Sequence, residues 1–236
     1  MKETKRRTKR RELVLADLDA LDLAACEAED RFPPSEPRKF APLLLLGPGE
    51  LLVRLGAWLR LPFGFEACGN GNATEESFRT RVALPAALGA KLLAFERHCE
   101  QRLARLPCSG ELQWTPSVKR DRAGDPTINV KVVLGSAFEP PTQFKLRSRE
   151  GFATGEGAAF YRAQVATRAH FRGGHARLVL RPRYYVLPDS CAAGLYFTAT
   201  HVALWASEHG GSDGTLDVDA VFPSEDLLRE PPPEDA

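Results

Sequence analysis

The stretch Phe78-Arg79-Thr80-Arg81-Val82-Ala83-Leu84-Pro85-Ala86-Ala87-Leu88-Gly89-Ala90-Lys91-Leu92-Leu93-Ala94-Phe95 changes its period part-way. Up to Val82, apolar and polar side chains alternate, the signature of a half-buried strand. From Pro85 the apolar positions Leu88, Leu92, Phe95, Cys99, Leu103 and Leu106 recur at steps of three and four. That is one stripe of an α-helix, and Pro107 stops it. Lys91, Glu96, Arg97, Glu100, Arg102 and Arg105 fill the remaining surface of this helix, expected over about 85–106.

Downstream of the helix the pattern returns to period two. Ile128, Val130, Val132 and Leu134 share a face with Asn129 and Lys131 opposite; Phe144 and Leu146 alternate with Lys145 and Arg147. Tyr161 to Phe171 reads as another strand, then Leu178 to Val186, then Leu195 to Trp205. The intervening Gly124-Asp125-Pro126, Pro140-Pro141, Gly151 to Gly157 and Gly173-Gly174 are turn signals. Upstream, Leu51 to Phe65 predicts one or two strands, and Gly69-Asn70-Gly71-Asn72 a loop. The expected fold is mainly β with one long helix (α+β), arranged as an OB-like barrel or a small β-sandwich.

Three segments follow. Residues 1–38 read as a flexible N-terminal arm and linker, with seven basic side chains in the first twelve residues. The Leu13–Asp30 portion reads as a short amphipathic helix or an acidic-hydrophobic interaction segment. Residues 39–206 form the β domain, and 207–236 an acidic tail. The net charge of +1 hides a strong asymmetry. Trp114 to Tyr185 holds 13 Lys/Arg against 5 Asp/Glu, whereas Val186 to Ala236 holds one Arg against ten acids. A basic body followed by an acidic appendage points to a polyanionic partner.

Chemistry-bearing motifs are sparse. The five cysteines, Cys26, Cys68, Cys99, Cys108 and Cys191, stand at wide spacings that suit reduced thiols. No Cys-x-x-Cys or His-Glu-x-x-His occurs, and the match to Gly-x-Ser-x-Gly, Gly210-Gly211-Ser212-Asp213-Gly214, falls in the Gly/Asp/Ser-rich tail and not between a strand and a helix. No metal, cofactor or catalytic residue is therefore assigned. His98 and Cys99 with Cys108 read as a helix face before they read as ligands. The longest apolar run, Ala41 to Leu46, is far below the roughly 20 residues of a membrane span. The N-terminus lacks the apolar core of a secretory signal, so an intracellular, nuclear or viral replication compartment is expected.

The candidate site is a set of basic strand faces. On Tyr161–Arg172 the face opposite the core carries Arg162, Gln164, Arg168, His170 and Arg172; on the next strand it carries Arg177, Arg181, Arg183 and Tyr185. A hairpin through Gly173-Gly174 would lay the two sets side by side. Lys119, Arg120, Lys131, Lys145 and Arg147 extend the cationic set, and Trp114, Phe152, Tyr161 and Tyr185 offer rings for stacking bases. Single-stranded nucleic acid, DNA or RNA, is the expected partner. The alternatives are a virion or scaffold β-sandwich and a nucleic-acid-processing enzyme.

The layout resembles the single-stranded DNA-binding proteins of bacteriophage T7 and of some large DNA viruses. The residues that carry it are the Ser77–Leu84 strand, the Pro85–Leu106 helix, Trp114 to Lys119, Thr142 to Leu146 and Gly194 to Phe197. The acidic tail Glu225-Asp226…Glu234-Asp235 completes it, over about residues 45–236. The resemblance implies an oligonucleotide-binding (OB) barrel. It also implies a non-enzymatic role in replication, recombination or repair. Its tail would compete with DNA and recruit replication proteins, and a homodimer is among the assemblies it allows.

Overall fold

The computed structural model describes residues 11–29, 43–67, 75–103, 113–136, 139–148, 151–166, 171–187 and 191–205. Its strands are β1 (Leu13–Asp17), β2 (Cys26–Glu29), β3 (Leu43–Leu46), β4 (Gly49–Arg60), β5 (Phe65–Ala67) and β6 (Glu75–Ala83). After helix α1 (Ala86–Leu103) come β7 (Gln113–Thr115), β8 (Val118–Arg120), β9 (Pro126–Ser136), β10 (Gln143–Ser148) and β11 (Gly151–Glu156). The short helix α2 (Gly157–Phe160) runs into a π-helical turn, Tyr161–Val165, before β12 (His175–Leu187) and β13 (Ala192–Trp205).

The period-two segments form the sheet. Its thirteen strands follow the order β1-β4-β3-β12-β13-β9-β6-β5, with β2, β7, β8, β10 and β11 attached along it. The mainly β class holds, but there are two helices, α1 and the short α2, where one was expected, and among the described residues the barrel does not close. Closure would need the two end strands to pair; β1 pairs with β4 and β5 with β6, and the path stays open. One face of the sheet, the inner face, carries the main core. Leu88, Leu92, Phe95 and Cys99 of α1 pack there with Ile128, Val130, Val132, Leu178, Leu180, Leu195 and Phe197. No helix among the described residues is long and apolar enough to cross a membrane.

Two expected elements are different in the structure. Tyr161–Phe171 is not a strand: its first part is helical. Tyr161 and Val165 are buried while Arg162 and Ala163 between them are exposed, a spacing of one helical turn. The Tyr161 ring meets Phe78 at 4.5 Å, Phe65 at 5.9 Å and Phe144 at 6.0 Å, so it anchors the turn in the core. Gly157 starts the helix at φ 65, and a Cβ there would lie 2.8 Å from the Leu134 carbonyl oxygen. The Gly151–Gly157 turn signal is in fact strand β11, paired with β10.

The other difference is at the N-terminus. Leu13–Asp30, expected as a helix or interaction segment within a flexible arm, contributes β1 and β2 to the sheet. β1 runs parallel to β4, and β2 antiparallel to β3. Alternation explains this: Ala16 packs toward the core while Leu13 and Leu15 turn away. The approach is close, since a Cβ on Gly49 would lie 2.2 Å from Val14 Cγ2. The sheet thus begins well before residue 39. The tail, residues 207–236, lies outside the described residues.

Leu92 is 1% exposed in the middle of the α1 stripe. Leu92→Ala should cost about 2–5 kcal/mol as a core cavity. Chemical denaturation checks this, and an unchanged midpoint would contradict the packing of α1.

Candidate nucleic-acid interface

The face of the sheet opposite α1, the outer face, is where the basic strand positions fall. Inward Phe78, Thr80 and Val82 leave Arg79 and Arg81 outward on β6; inward Val130 and Val132 leave Asn129 and Lys131 outward on β9. Register then joins them. Arg79 lies directly opposite Lys131, Lys131 beside Thr198 of β13, and Thr198 opposite Arg181 of β12. Arg81 lies opposite Asn129, and Lys119 of β8 opposite Thr127. Six cations, Lys119, Arg81, Arg79, Lys131, Arg181 and Arg183, therefore share one face.

The row is graded in exposure. Arg79, Arg81 and Lys119 are exposed and Lys131 is half-buried, but Arg181 keeps only 6% of its surface. The inner end is neutralised. Arg181 Nε lies 3.1 Å from Glu50 Oε1; Arg183 donates to Glu139 Oε1 at 2.6 Å and sits 3.7 Å from Glu50. Burial alone would lower the Arg183 pKa, yet Glu139, Tyr196 and Glu50 outweigh it and the net shift is upward. Burial lifts the Tyr196 phenol above its usual range, partly offset by Arg183. At the outer end Glu66 of β5 lies across from Arg79.

Beside the exposed end stands Phe63, in the turn between β4 and β5. Its ring is 44% exposed, and the Arg81 guanidinium carbon lies 5.3 Å from the ring centre. A cation over an exposed ring is a ready platform for a base. Sequence reasoning passed over Phe63, Arg79 and Arg81; the Arg-x-Arg alternation of β6 was the available signal.

The expected arginine hairpin does not form, because its first strand is helical. Arg162 sits on the π-helical turn, 2.7 Å from Glu76. Arg172 is exposed in the turn before β12, and Arg168 lies outside the described residues. Arg177 is buried, its guanidinium 4.9 Å from the Trp58 ring centre, and Trp58 meets Trp205 edge-on at 5.6 Å. Lys145 is buried beside Ala203. The backbones of Arg147 and Phe152 pair across β10 and β11, and their side chains lie outside the described residues. Tyr185 is half-buried, 6.5 Å from Tyr196. Trp114 is tied down by Nε1, which donates to Glu96 at 3.3 Å. Arg120 is exposed and donates to the Gly124 carbonyl at 2.6 Å.

Among the described residues no group of three His, Cys, Asp or Glu is arranged to hold an ion. Burial pushes the Cys26 thiol up to about 11 and the Cys99 thiol to about 12, so both are protonated near neutrality. Cys108 lies outside the described residues.

The sequence matches no protein-family model and no curated protein. The chain resembles phage single-stranded DNA-binding proteins in outline. The one from bacteriophage Enc34 in complex with ssDNA is 13% identical, covers 76% of this chain and 98% of its own, and has a TM-score of 0.46. The C-terminally truncated form of the Enc34 protein gives 13%, 76%, 97% and 0.43. The single-stranded DNA-binding protein gp2.5 of bacteriophage T7 is 12% identical, with 71% and 95% covered and a TM-score of 0.38.

His201 lies on the same face, opposite Val179, which is two residues from Arg181 along β12. Burial and then the Arg181 charge hold its pKa below the ordinary imidazole value. The unfolded chain therefore takes up the proton first. Stability should be full above about pH 6.5 and decline as pH falls from there toward the folded-state pKa. His201→Gln should flatten that part of a pH series of denaturation midpoints.

Proposed function

We propose that this chain is a non-enzymatic single-stranded nucleic-acid-binding protein, with DNA as the ligand, acting in replication, recombination or repair. The observation that carries the reading is the exposed end of the cationic row. Arg79 and Lys131 face each other directly across antiparallel strands. Like charges so placed oppose folding. A phosphate between them relieves that repulsion and releases condensed counterions as well.

In this reading Arg79, Arg81, Lys131 and Lys119 track the sugar-phosphate backbone, and Phe63 stacks a base with little sequence preference. Arg181 and Arg183 serve a different purpose. Held by Glu50 and Glu139, they set the floor of the face and fix β12 against β4 and the loop before β10. A virion or scaffold role would leave the outer cations as solvation alone, so binding itself separates the readings. The acidic segment 207–236 would compete with the ligand for the same face.

Titration of a fluorescent oligo(dT) should show log affinity falling with log salt, with a slope of about −0.7 per phosphate contacted. The double variant Arg79→Glu, Lys131→Glu should weaken binding at least tenfold at low salt and reduce the slope by one to two such contacts. Phe63→Ala should cost about 1–3 kcal/mol with the slope unchanged, because it removes stacking and no charge. Salt-indifferent binding, or none at low salt by a folded protein, would contradict the proposal.

A further inference from the structure

Among the described residues, strand β1 ends the sheet with an open edge and pairs with β4 alone. Backbone hydrogen bonds show which residues turn toward that partner. The Glu12 carbonyl accepts from Glu50 N at 2.8 Å, and Leu18 N donates to the Arg54 carbonyl at 3.1 Å. The even positions thus face β4, and Arg11, Leu13, Leu15 and Asp17 present their N–H and C=O groups to the open edge.

Leu13, Leu15 and Asp17 share the outer face, since they lie beside Glu50, Leu52 and Arg54 of β4, and Arg11 precedes them in the same alternation. Leu13 is 49% and Leu15 42% exposed, two of the three large exposed apolar side chains among the described residues. An edge strand of this kind is usually blunted by proline, by a bulge or by a lysine. Leu13–Asp17 has none of these. The edge reads, in order, cation, leucine, leucine, anion.

That order is self-complementary when reversed. An antiparallel copy pairs odd positions only with odd positions, which leaves two central registers. Centred on Val14, Leu13 lies opposite the second copy's Leu15, and Arg11 opposite its Asp17, on both sides of the axis. Centred on Leu15, Leu13 would instead face the anionic Asp17. Arg11 already pairs with Glu29 and Asp17 with Arg54, and each keeps part of its surface free, 32% and 42% of the side chain.

The geometry points to a homodimer in which β1 pairs antiparallel with β1 of a second copy, in register about Val14. The two sheets join edge to edge. Directly opposed residues point to the same side of a sheet, so the two outer faces, and their cationic rows, lie on one side of the dimer. A five-residue edge is far smaller than a standard stable interface. The dimer is therefore weak and concentration-dependent, with a Kd of roughly micromolar to tens of micromolar.

Sedimentation equilibrium on the full chain tests this with two double variants. Leu13→Lys, Leu15→Lys places like charges opposite each other and should abolish the dimer, shifting the protein to monomer across 1–100 micromolar, on the order of the Kd range above. Leu13→Lys, Leu15→Glu is just as polar, but in this register it sets the new ammonium of each copy opposite the new carboxylate of the other. It should restore association, and that association should weaken with salt. Circular dichroism confirms that both variants are folded. A monomeric wild type over that range, a Lys/Lys variant that still dimerises, or a Lys/Glu variant no better than Lys/Lys, each overturns the proposal.

Discussion

The long antiparallel pair β12–β13 holds the rest of the sheet together. It runs from His175↔Trp205 to Leu187↔Ala192, and every major part of the sheet attaches to one of its two outer sides. β3 and β4 add to β12; β7, β9 and β10 add to β13. One irregularity sits in the ladder, between Val179 and Leu180, where Thr200 is the extra residue and its hydroxyl donates to the Val179 carbonyl at 3.2 Å. A bulge shifts the alternation on one strand only. Here it keeps Leu180 and Ala199 in the core while Arg181 and Thr198 stay together on the outer face. The cationic row depends on that correction.

The outer face also shows how a protein carries buried arginine. Removing a guanidinium from water is costly unless an acid and hydrogen bonds compensate. Glu50 and Glu139 come from two separate elements, β4 and the loop before β10, and converge on Arg181 and Arg183. The acids therefore fix the inner half of the row as structure. They leave Arg79, Arg81, Lys119 and half-buried Lys131 as the part that meets solvent. Fold and site are separated along one row of residues by burial alone.

Much of this was legible in the sequence. The switch of period at Pro85 located β6 and α1, and the alternations around Ile128–Leu134 and Leu178–Val186 gave β9 and β12 with the correct inward faces. The outward positions of Lys131, Arg181 and Arg183 come with those alternations, whereas no strand pattern around Lys119 placed it. Tyr161–Phe171 failed because Tyr161 and Val165 satisfy both periods: they are four apart, which is one helical turn and two strand repeats. Only the ring contacts of Tyr161 decide between them. β1 and β2 are five and four residues long, too short for periodicity to distinguish from an amphipathic turn. Burial of Arg177 beneath Trp58, and of Lys145 beside Ala203, depends on what covers the outer face. No pattern along one strand encodes that.

Binding through the outer face requires a single strand to lie along β6 and β9. Chemical-shift mapping of the isotopically labelled full chain with unlabelled oligo(dT) addresses it most directly. The predicted result is a continuous set of perturbed amides on β6 and β9 around Arg79, Arg81 and Lys131, extending to Phe63 and Lys119, with α1 unmoved. Perturbations confined to α1, or to the helical segment around Tyr161, would contradict it.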